Sequence, residues 1–371
     1  MKISLLLYLS FSLITASFAG DTDSISSKHS EDIHFMPFFS DGYVNYIDST
    51  GAEINVFQFK PSYDKVQLLT FSNQSIKSVF FESNLKLHEG RVLAKKPNFW
   101  FWDPYSEYIC CDTKGKEIFK IDAGWVGYFS EGLLPVSIYR GFLFIVTDTK
   151  YGYVNHAGEF QIPPKFDYAG PFSEGLANVL LDGKYGYIDK EGKLVIQPEF
   201  MAAASFSEGL AAVCKNNKYG YININGEHII PLTFDHAWPF KNGRARVFIN
   251  NKYGFIDKTG KFIKEPVYEN AHDYYQNIAA VKVNGKFGFI DLDGRFIIDP
   301  VYQDAGNFSS GLAPVEQGSK YGYINYEGKV IIPINYQFAA NFENGLGIVW
   351  NNGLPSYINS SGKIICPYFT D

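Results

Sequence analysis

The strongest constraint on this chain is a short segment that returns at a fixed interval. It reads Lys-Tyr-Gly-Tyr-Ile-Asp at 184–189, and its Lys-aromatic-Gly-aromatic core recurs every 34 residues, six times between 150 and 323, without an insertion. Repetition in strict register is the signature of an array in which each unit packs only against its neighbours. The sequence therefore predicts a tandem array, although 371 residues would otherwise suggest about two domains.

The chemistry of the repeat predicts β-structure. The same period is found in helical tetratricopeptide units, but each unit here carries three or more glycines, often a proline, and apolar residues that alternate with period two. In the type unit, 175–208, strand one spans 175–181, strand two 184–188 and strand three 193–196, where Pro198 is expected to end it. Each unit is thus predicted to be a three-stranded antiparallel meander followed by a connector.

Fixed columns of residues indicate how the units pack together. The small residue of strand one, Ala177 in the type unit, leaves space for a large ring from the connector. Gly186 of strand two is expected to lie under a ring of the Phe200 or Phe206 column, since a glycine inside a strand marks a close approach. Strand two is apolar on both faces, which is typical of a strand covered on both sides.

Two loop columns define the hairpin between strands two and three. An Asx residue, Asp189 in the type unit, begins it by bonding nearby backbone N–H groups, and Gly192 closes it with a positive φ. Each loop offers only one or two carboxylates, which favours a turn over the alternative of a calcium site. The Lys column is interpreted as a solvated strand start that discourages edge pairing, with a basic stripe for an anionic polymer as the alternative. Its members are Lys150, Lys184, Lys218, Lys252, Lys286 and Lys320.

The register changes upstream of residue 149. The segment 129–133 matches 172–176 at an offset of 43, so one unit carries nine extra residues, placed around 139–147. We expect divergent repeats over 35–148 and regular repeats over 149–371, about nine meanders in all. The predicted fold class is all-β, with tandem 34-residue repeats of three-stranded antiparallel meanders forming an open propeller-like superhelix. A closed β-propeller is the alternative. Propellers usually have four to eight four-stranded blades, which nine short units fit poorly.

The N-terminal residues predict export. Residues 1–19 have a positive start at Lys2, an apolar stretch and small residues before a cleavage site after Ala19, as Sec-type signal peptides do. An uncleaved anchor is the alternative. Residues 20–34 are polar and are expected to form a flexible lead-in. No later segment reaches the roughly 18 apolar residues of a membrane span. A secreted or periplasmic protein without a stable span after signal removal is predicted.

Three segments of the type unit and its neighbour carry a family resemblance: Lys184-Tyr185-Gly186-Tyr187-Ile188-Asp189, Glu191-Gly192-Lys193 and Phe206-Ser207-Glu208-Gly209-Leu210-Ala211. With this pattern the chain resembles the bacterial WG β-repeat family, also called KWG repeats, over about 40–370. It departs from the family in one respect, because the ring before glycine is Tyr or Phe and never Trp. The resemblance implies a β-repeat scaffold, often exported or surface-associated, with a binding function and no shared catalytic residues.

Charge and motifs argue against several functions. The net charge is −6 and no basic run is present, which excludes typical nucleic-acid binders. The cysteines at 110, 111, 214 and 366 are expected to be mostly buried free thiols, with a disulfide or zinc site as the alternative. The seven histidines fall in unrelated slots, and no nucleophile motif occurs. We expect no enzyme activity, no cofactor and no metal site.

The most unusual local feature is the aromatic run at 99–105. It is either a core strand of a capping unit or a platform for a sugar or peptide, with Trp100, Trp102 and Tyr105 as candidate binding residues. The predicted function is an exported non-enzymatic repeat scaffold that binds a protein or peptide. The alternative is a protein that binds a glycan or cell-envelope polymer.

Overall fold

Antiparallel sheets follow one another along the whole described part of the chain. The computed structural model describes residues 36–40, 43–47, 53–59, 86–95, 106–112, 116–142, 145–343, 345–351 and 354–367. These residues form nine sheets, which we number as units 1 to 9. Unit 1 comprises β1 (Met36–Ser40), β2 (Tyr43–Ile47) and β3 (Glu53–Phe59). Unit 2 comprises β4 (Lys86–His88), β5 (Arg91–Lys95), β6 (Ser106–Asp112) and β7 (Glu117–Ala123). Unit 3 comprises β8 (Trp125–Val126), β9 (Leu134–Phe142), β10 (Ile145–Val154) and β11 (Phe160–Phe166).

Units 4 to 9 are nearly identical in element length. Their strands are β12 (Tyr168–Ala169), β13 (Ala177–Leu181), β14 (Lys184–Ile188) and β15 (Leu194–Phe200) in unit 4, followed by β16 (Ala202–Ala203), β17 (Leu210–Lys215), β18 (Lys218–Asn223) and β19 (His228–Phe234) in unit 5. Unit 6 has β20 (His236–Ala237), β21 (Arg244–Ile249), β22 (Lys252–Asp257) and β23 (Phe262–Tyr268). Unit 7 has β24 (Asn270–Ala271), β25 (Ala279–Val283), β26 (Lys286–Ile290) and β27 (Phe296–Tyr302). Unit 8 has β28 (Asp304–Ala305), β29 (Ala313–Gln317), β30 (Lys320–Ile324) and β31 (Val330–Tyr336), and unit 9 has β32 (Phe338–Ala339), β33 (Leu346–Asn351), β34 (Leu354–Asn359) and β35 (Ile364–Pro367).

The predicted all-β array is confirmed, and the meanders of units 3 to 9 each gain one two-residue strand. In unit 4 the order is β12-β13-β14-β15, so the predicted three-stranded meander is flanked by a two-residue strand that belongs to the connector. We call this element the short strand. Within the described residues no sheet closes into a barrel, and the first and last sheets share no strand pairing. The units therefore follow one another as separate propeller-like sheets, as the open array predicts.

Tight turns delimit strand one. The pairs Glu174-Gly175 and Asp182-Gly183 have φ values of 55° and 83°, and of 51° and 75°. Two successive residues with positive φ are typical of type I′ hairpin turns, which match the right-handed twist of the flanking strands. Strand one consequently begins at Ala177, two residues later than predicted, whereas strand two spans the predicted Lys184–Ile188.

The prediction that Pro198 ends strand three is wrong. The strand continues to Phe200, which pairs with Tyr185, while Ile196 pairs with Tyr187. The three residues between them bulge opposite Gly186, and the strand lies at the edge of its sheet. A proline is tolerated at bulges and edges because the missing N–H donor is not needed there.

The bulge also corrects the explanation given for Gly186. A Cβ placed on Gly186 would lie 2.6 Å from the carbonyl oxygen of Ile196 and 2.8 Å from the nitrogen of Pro198. Backbone of the bulged strand, and not a ring of the Phe200 or Phe206 column, therefore requires this glycine. The rings lie elsewhere, since Phe206 packs against Tyr187 at 4.9 Å between centroids.

The hydrophobic core sits between neighbouring sheets. One cluster joins Tyr187 and Phe200 of unit 4 to Phe206, Ala211 and Val213 of unit 5, all buried. A connector ring therefore does pack near the small column of strand one, as predicted. In units 3, 4, 5 and 8 the tyrosine of this core also donates a hydrogen bond of 2.7 Å to a carbonyl of the next connector. The donor and acceptor pairs are Tyr153 to Gly170, Tyr187 to Ala204, Tyr221 to Trp238 and Tyr323 to Ala340.

A second connection between units joins their strand-one turns. A glutamate in each turn accepts a hydrogen bond from the backbone N–H of a glycine in the turn of the next unit. The four pairs are Glu89 with Gly132, Glu131 with Gly175, Glu174 with Gly209 and Glu208 with Gly243. The series stops there, because Asn242, Gln276 and Ser310 occupy the glutamate slot of the following turns.

The predicted insertion of nine residues is found in unit 3. Strands β9 and β10 contain nine and ten residues, whereas β13 and β14 contain five each. Ile145 pairs with Phe142 near the tip, so the extra residues extend one hairpin. An insertion at this end of the sheet lengthens the hairpin without changing the contacts between units.

Candidate functional site

The predicted aromatic platform cannot be placed. Trp100, Trp102 and Tyr105 lie outside the described residues, and their role stays a prediction. The boundaries proposed at residues 1–19 and 20–34 lie outside them as well.

The repeated loop residues serve the fold. Asp189 Oδ1 accepts hydrogen bonds from the backbone nitrogens of Glu191 and Lys193 at 3.2 and 2.8 Å, and Gly192 has φ of 78°. The same Asx turn forms around residues 155, 223, 257, 291, 325 and 359. A carboxylate used in this way fixes the hairpin, as the turn interpretation predicted.

The other chemical groups singled out in the sequence are dispersed. Cys110, Cys111 and Cys214 are buried free thiols, and burial raises the pKa of Cys110 to about 12. In the described part of the chain no group of three or more His, Cys, Asp or Glu side chains is placed to hold a metal ion. Within the same residues, no helix is long and apolar enough to cross a membrane. The expectations of no metal, no cofactor and no catalysis stay predictions.

The short strands and the starts of strand two form a row of rings along units 3 and 4. Trp125, Tyr151, Tyr168 and Tyr185 contact one another in that order, with centroid distances of 6.0, 5.7 and 6.0 Å. We call these four residues the open ring ladder. Trp125 is 41% exposed and the three tyrosines are half-buried. The rings are inclined at 48–68° to their neighbours, so none is stacked between two others.

The electrostatics of the open ring ladder are close to neutral. Burial, and then the neighbouring hydroxyls of Tyr185, Tyr151 and Tyr128, raise the pKa of Tyr168. Beside Tyr151, the ammonium group of Lys150 contacts Asp167 and lies 3.5 Å from Asp148. The hydrogen bond to Asp167 raises the pKa of Lys150. Burial likewise raises the pKa of Tyr151, so the phenols of Tyr151 and Tyr168 are neutral donors and acceptors.

Units 5 and 6 fill the equivalent slots differently. Tyr219 stacks on His236 at 4.5 Å, His236 lies 4.1 Å from Trp238, and the Arg246 guanidinium lies 3.9 Å from the centre of the Trp238 ring. Arg246 also lies 5.6 Å from the Tyr253 ring. We call these five residues the closed stack. Trp238 contacts His236 and Arg246 together and is half-buried, whereas His236 is exposed.

Arg246 is fixed by polar contacts with unit 7. Its Nε donates to Asp273 Oδ1 at 2.8 Å and its Nη1 donates to the carbonyl of Ala271, and the paired side chains are only 14% and 20% exposed. Burial, followed by the charge of Arg246, lowers the pKa of His236 and of His272. The closed stack is therefore a largely satisfied cluster that connects two units.

A third surface lies on the edge strands. A bulge places one extra residue, Val195, between the pairs Ile196–Tyr187 and Leu194–Ile188. The same bulge recurs in the following units, so two consecutive apolar positions remain outside the core. We call the exposed members the third-strand apolar column: Val195, Ile229, Phe296, Ile297, Val330, Ile331 and Ile364.

Neither the open ring ladder nor the third-strand apolar column was predicted as a site. The signal for the open ring ladder is the pairing of Trp125 and Tyr168 with the tyrosine column, which shows only once the short strand is known to lie beside strand two. Two members of the Lys column form ion pairs. Lys150 pairs with Asp167, and Lys218 pairs with Asp235 at 2.6 Å.

Four-stranded sheets that share cores between neighbours define the molecule as a β-repeat scaffold. A family model described as "WG containing repeat" matches residues 151–185, 185–219, 219–253, 253–287, 287–321 and 321–354, so the chain belongs to the WG repeat family. The resemblance inferred from the sequence is thereby confirmed, with Tyr or Phe in place of the family's tryptophan.

Solved structures provide a further comparison of the fold. The chain is similar to a eukaryotic initiation factor, with 12% identity, coverage of 91% of this chain and 95% of that one, and a TM-score of 0.56. It also matches AztD from Citrobacter koseri, with 14% identity, coverage of 81% and 94%, and a TM-score of 0.41. Hsv2p from Kluyveromyces lactis matches with 10% identity, coverage of 62% and 91%, and a TM-score of 0.37. At these identities the likeness concerns the fold alone. A comparison with curated protein sequences found no match.

Proposed function

We propose that this chain is an exported, non-enzymatic repeat scaffold that binds a protein or peptide through the third-strand apolar column. The carrying observation is that two consecutive apolar residues stay exposed in adjacent units. Phe296 and Ile297 in unit 7 and Val330 and Ile331 in unit 8 are each 40–44% exposed. Apolar side chains in register across neighbouring units give an extended apolar surface, and such surfaces mark interaction sites.

Contacts between the units support a continuous surface. A Cβ placed on Gly328 of unit 8 would lie 3.5 Å from the side chain of Ile298 in unit 7, and one placed on Gly362 of unit 9 would lie 3.3 Å from Ile332 of unit 8. Each hairpin loop therefore rests on the edge strand of the preceding unit. The apolar residues beside these loops belong to surfaces that touch, and a partner can span several of them.

The charges beside this column favour a protein partner over a charged polymer. Exposed residues of both signs flank the apolar pair of unit 7, with Arg295 before it and Asp299 after it, and Arg295 pairs with Asp293 at 3.0 Å. A surface with an apolar centre and a rim of mixed charge has the composition of a protein interface. An anionic or cationic polymer would instead call for a rim of one sign.

Export is proposed from residues 1–19, which read as a Sec-type signal with cleavage after Ala19. The mature chain would act in the periplasm or outside the cell. The array supplies many equivalent surfaces, which supports a binding function.

The test uses the mature chain, residues 20–371, as bait in an extract of the producing cell's envelope. Chemical crosslinking and mass spectrometry identify a protein whose recovery falls about tenfold with the double variant Ile297→Asp, Ile331→Asp, because both anchors lose their apolar contact. The matched control is Gln161→Asp, which introduces the same charge in the equivalent slot of unit 3.

Stability is measured in parallel. Both variants alter exposed positions. Their free energies of unfolding should differ from that of the parent chain by no more than about 0.5 kcal/mol per substitution. Recovery of a polysaccharide as the sole partner contradicts the proposal. Recovery of the same proteins by the parent and by the double variant contradicts it equally.

A further inference from the structure

We infer that the open ring ladder is a binding site for a neutral saccharide chain. The site comprises Trp125, Tyr151, Tyr168 and Tyr185, and it lies on the short-strand side of units 3 and 4. It is separate from the third-strand apolar column, which occupies the opposite edge of each sheet. The inference therefore stands or falls independently of the protein partner proposed above.

The rings of the ladder offer exposed surface to a ligand. Four rings in sequence remain partly exposed, and their inclined contacts at 5.7–6.0 Å leave ring area that no neighbour covers. Aromatic rings provide large, rigid contact areas at a low cost in conformational entropy. The C–H faces of a pyranose ring are apolar and fit such a surface.

The tyrosine hydroxyl groups of the ladder offer polar contacts to a ligand. Among the described residues, neither the Tyr168 hydroxyl nor the Tyr185 hydroxyl has a hydrogen-bond partner. The proximity of Tyr128, Tyr151 and Tyr185 raises the pKa of Tyr168 in addition to burial, so the phenol oxygens lie close together. A group of neutral donors and acceptors beside apolar rings matches a ligand that also combines hydroxyls with apolar faces.

Charge at the ladder suits a neutral ligand. The ammonium group beside Tyr151 and Tyr168 is paired, since Lys150 contacts Asp167 and lies 3.5 Å from Asp148. A neutral chain of sugars fits a row of four rings with this charge arrangement.

The experiment titrates neutral hexasaccharides into the mature chain by calorimetry, with tryptophan fluorescence as a second readout. The panel consists of cellohexaose, xylohexaose, maltohexaose, laminarihexaose, mannohexaose and chitohexaose. We expect at least one to bind with a dissociation constant below about 1 mM. Trp125→Ala should weaken that binding about tenfold, and Tyr168→Phe, which removes one hydroxyl, about threefold to fivefold.

The matched control is Trp350→Ala. Trp350 has the same exposed fraction as Trp125, 41%, but lies in unit 9 away from the ladder. It should leave binding unchanged, and Tyr168→Phe removes too little to affect folding. The inference is overturned if no hexasaccharide binds at about 10 mM, or if Trp125→Ala binds as the parent does. Equal weakening by Trp350→Ala, or binding of oligogalacturonate alone, also overturns it.

Discussion

The open ring ladder and the closed stack occupy the same columns of the repeat but differ in the side chains that lie against their rings. In unit 4, Gly170 follows the short strand and Asn178 lies on strand one. In unit 6, two repeats further along the chain, the same slots hold Trp238 and Arg246. These two side chains contact each other and the neighbouring rings, whereas a glycine and a short amide add no such contact to the half-buried rings of units 3 and 4.

The comparison separates two kinds of column. Residues such as Gly186, Tyr187 and Gly192 are fixed by backbone contacts and by the core between units, and they recur in units 3 to 8, with Phe in the Tyr187 slot of units 6 and 7. The slots of Gly170 and Asn178 vary from unit to unit, although Asn178 and Arg246 each donate to a carbonyl of the next connector. The differences between the surfaces of the units therefore lie in slots of the second kind.

The largest effect is expected for Arg246→Ala. The substitution removes the guanidinium between two rings and leaves the largely buried Asp273 without its partner. The free energy of unfolding should fall by about 2–3 kcal/mol, less than the roughly 3–5 kcal/mol for breaking a fully buried ion pair, because the side chains are 14% and 20% exposed. Urea denaturation followed by tryptophan fluorescence measures it.

A double variant checks the cause. Adding Asp273→Ala to Arg246→Ala removes the unpaired carboxylate and should recover part of the loss, about 1 kcal/mol. A loss below about 0.5 kcal/mol for Arg246→Ala would mean that the closed stack is an ordinary exposed surface. The contrast between the two ring clusters would then disappear.

A smaller difference is expected between two tryptophans. Trp238→Ala should cost about 2 kcal/mol, because the ring contacts His236 and Arg246. Trp125→Ala should cost less than about 1 kcal/mol, since 41% of Trp125 is already exposed. Thermal unfolding of both variants provides the measurement. Equal losses would show that the open ring ladder is core and not a surface.

The smallest effect is a dependence of stability on pH near the closed stack. Burial and the Arg246 charge lower the pKa of His236 and His272 from the ordinary value of 6.5, although Asp273 and Asp304 act against this on His272. The folded state therefore holds neutral imidazoles, and the unfolded state binds more protons between the folded pKa values and 6.5. The contribution to stability is complete above pH 6.5 and is lost as the pH falls below it.

The pH prediction is measured as the difference between unfolding free energies at pH 7.5 and 5.5. His236→Gln should reduce this difference. Tyr185→Phe, a change in the open ring ladder that removes no imidazole, should leave it as in the parent chain. A difference that His236→Gln does not alter would place the pH dependence in another part of the molecule.

The periodic sequence predicted the fold well because its columns are local rules. Asp189 and Gly192 form an Asx hairpin wherever they occur, and the 43-residue offset located the long hairpin of unit 3 correctly. The role of Gly186 was not predictable in the same way. It depends on the bulge at Pro198, which is a property of the pairing between strands and leaves no period of its own.

The surfaces were harder to predict than the fold. Exposure of Val195 follows from one extra residue in strand three, and a sequence does not reveal which strand is at an edge. The open ring ladder depends on Tyr168 lying in a two-residue strand that pairs with strand one at Leu180. Its rings come from two columns that are 17 residues apart, so period alone did not bring them together.

The glutamate bonds between successive turns set a condition on how such a protein changes length in evolution. A duplicated copy of 175–208 brings both a glycine donor and a glutamate acceptor, so it extends the series that runs from Glu89 to Gly243. A copy taken from beyond Gly243 has asparagine, glutamine or serine in the acceptor slot and would interrupt it. Duplication of a unit such as 175–208 would therefore preserve the bonds between turns, whereas duplication of a unit beyond Gly243 would add none.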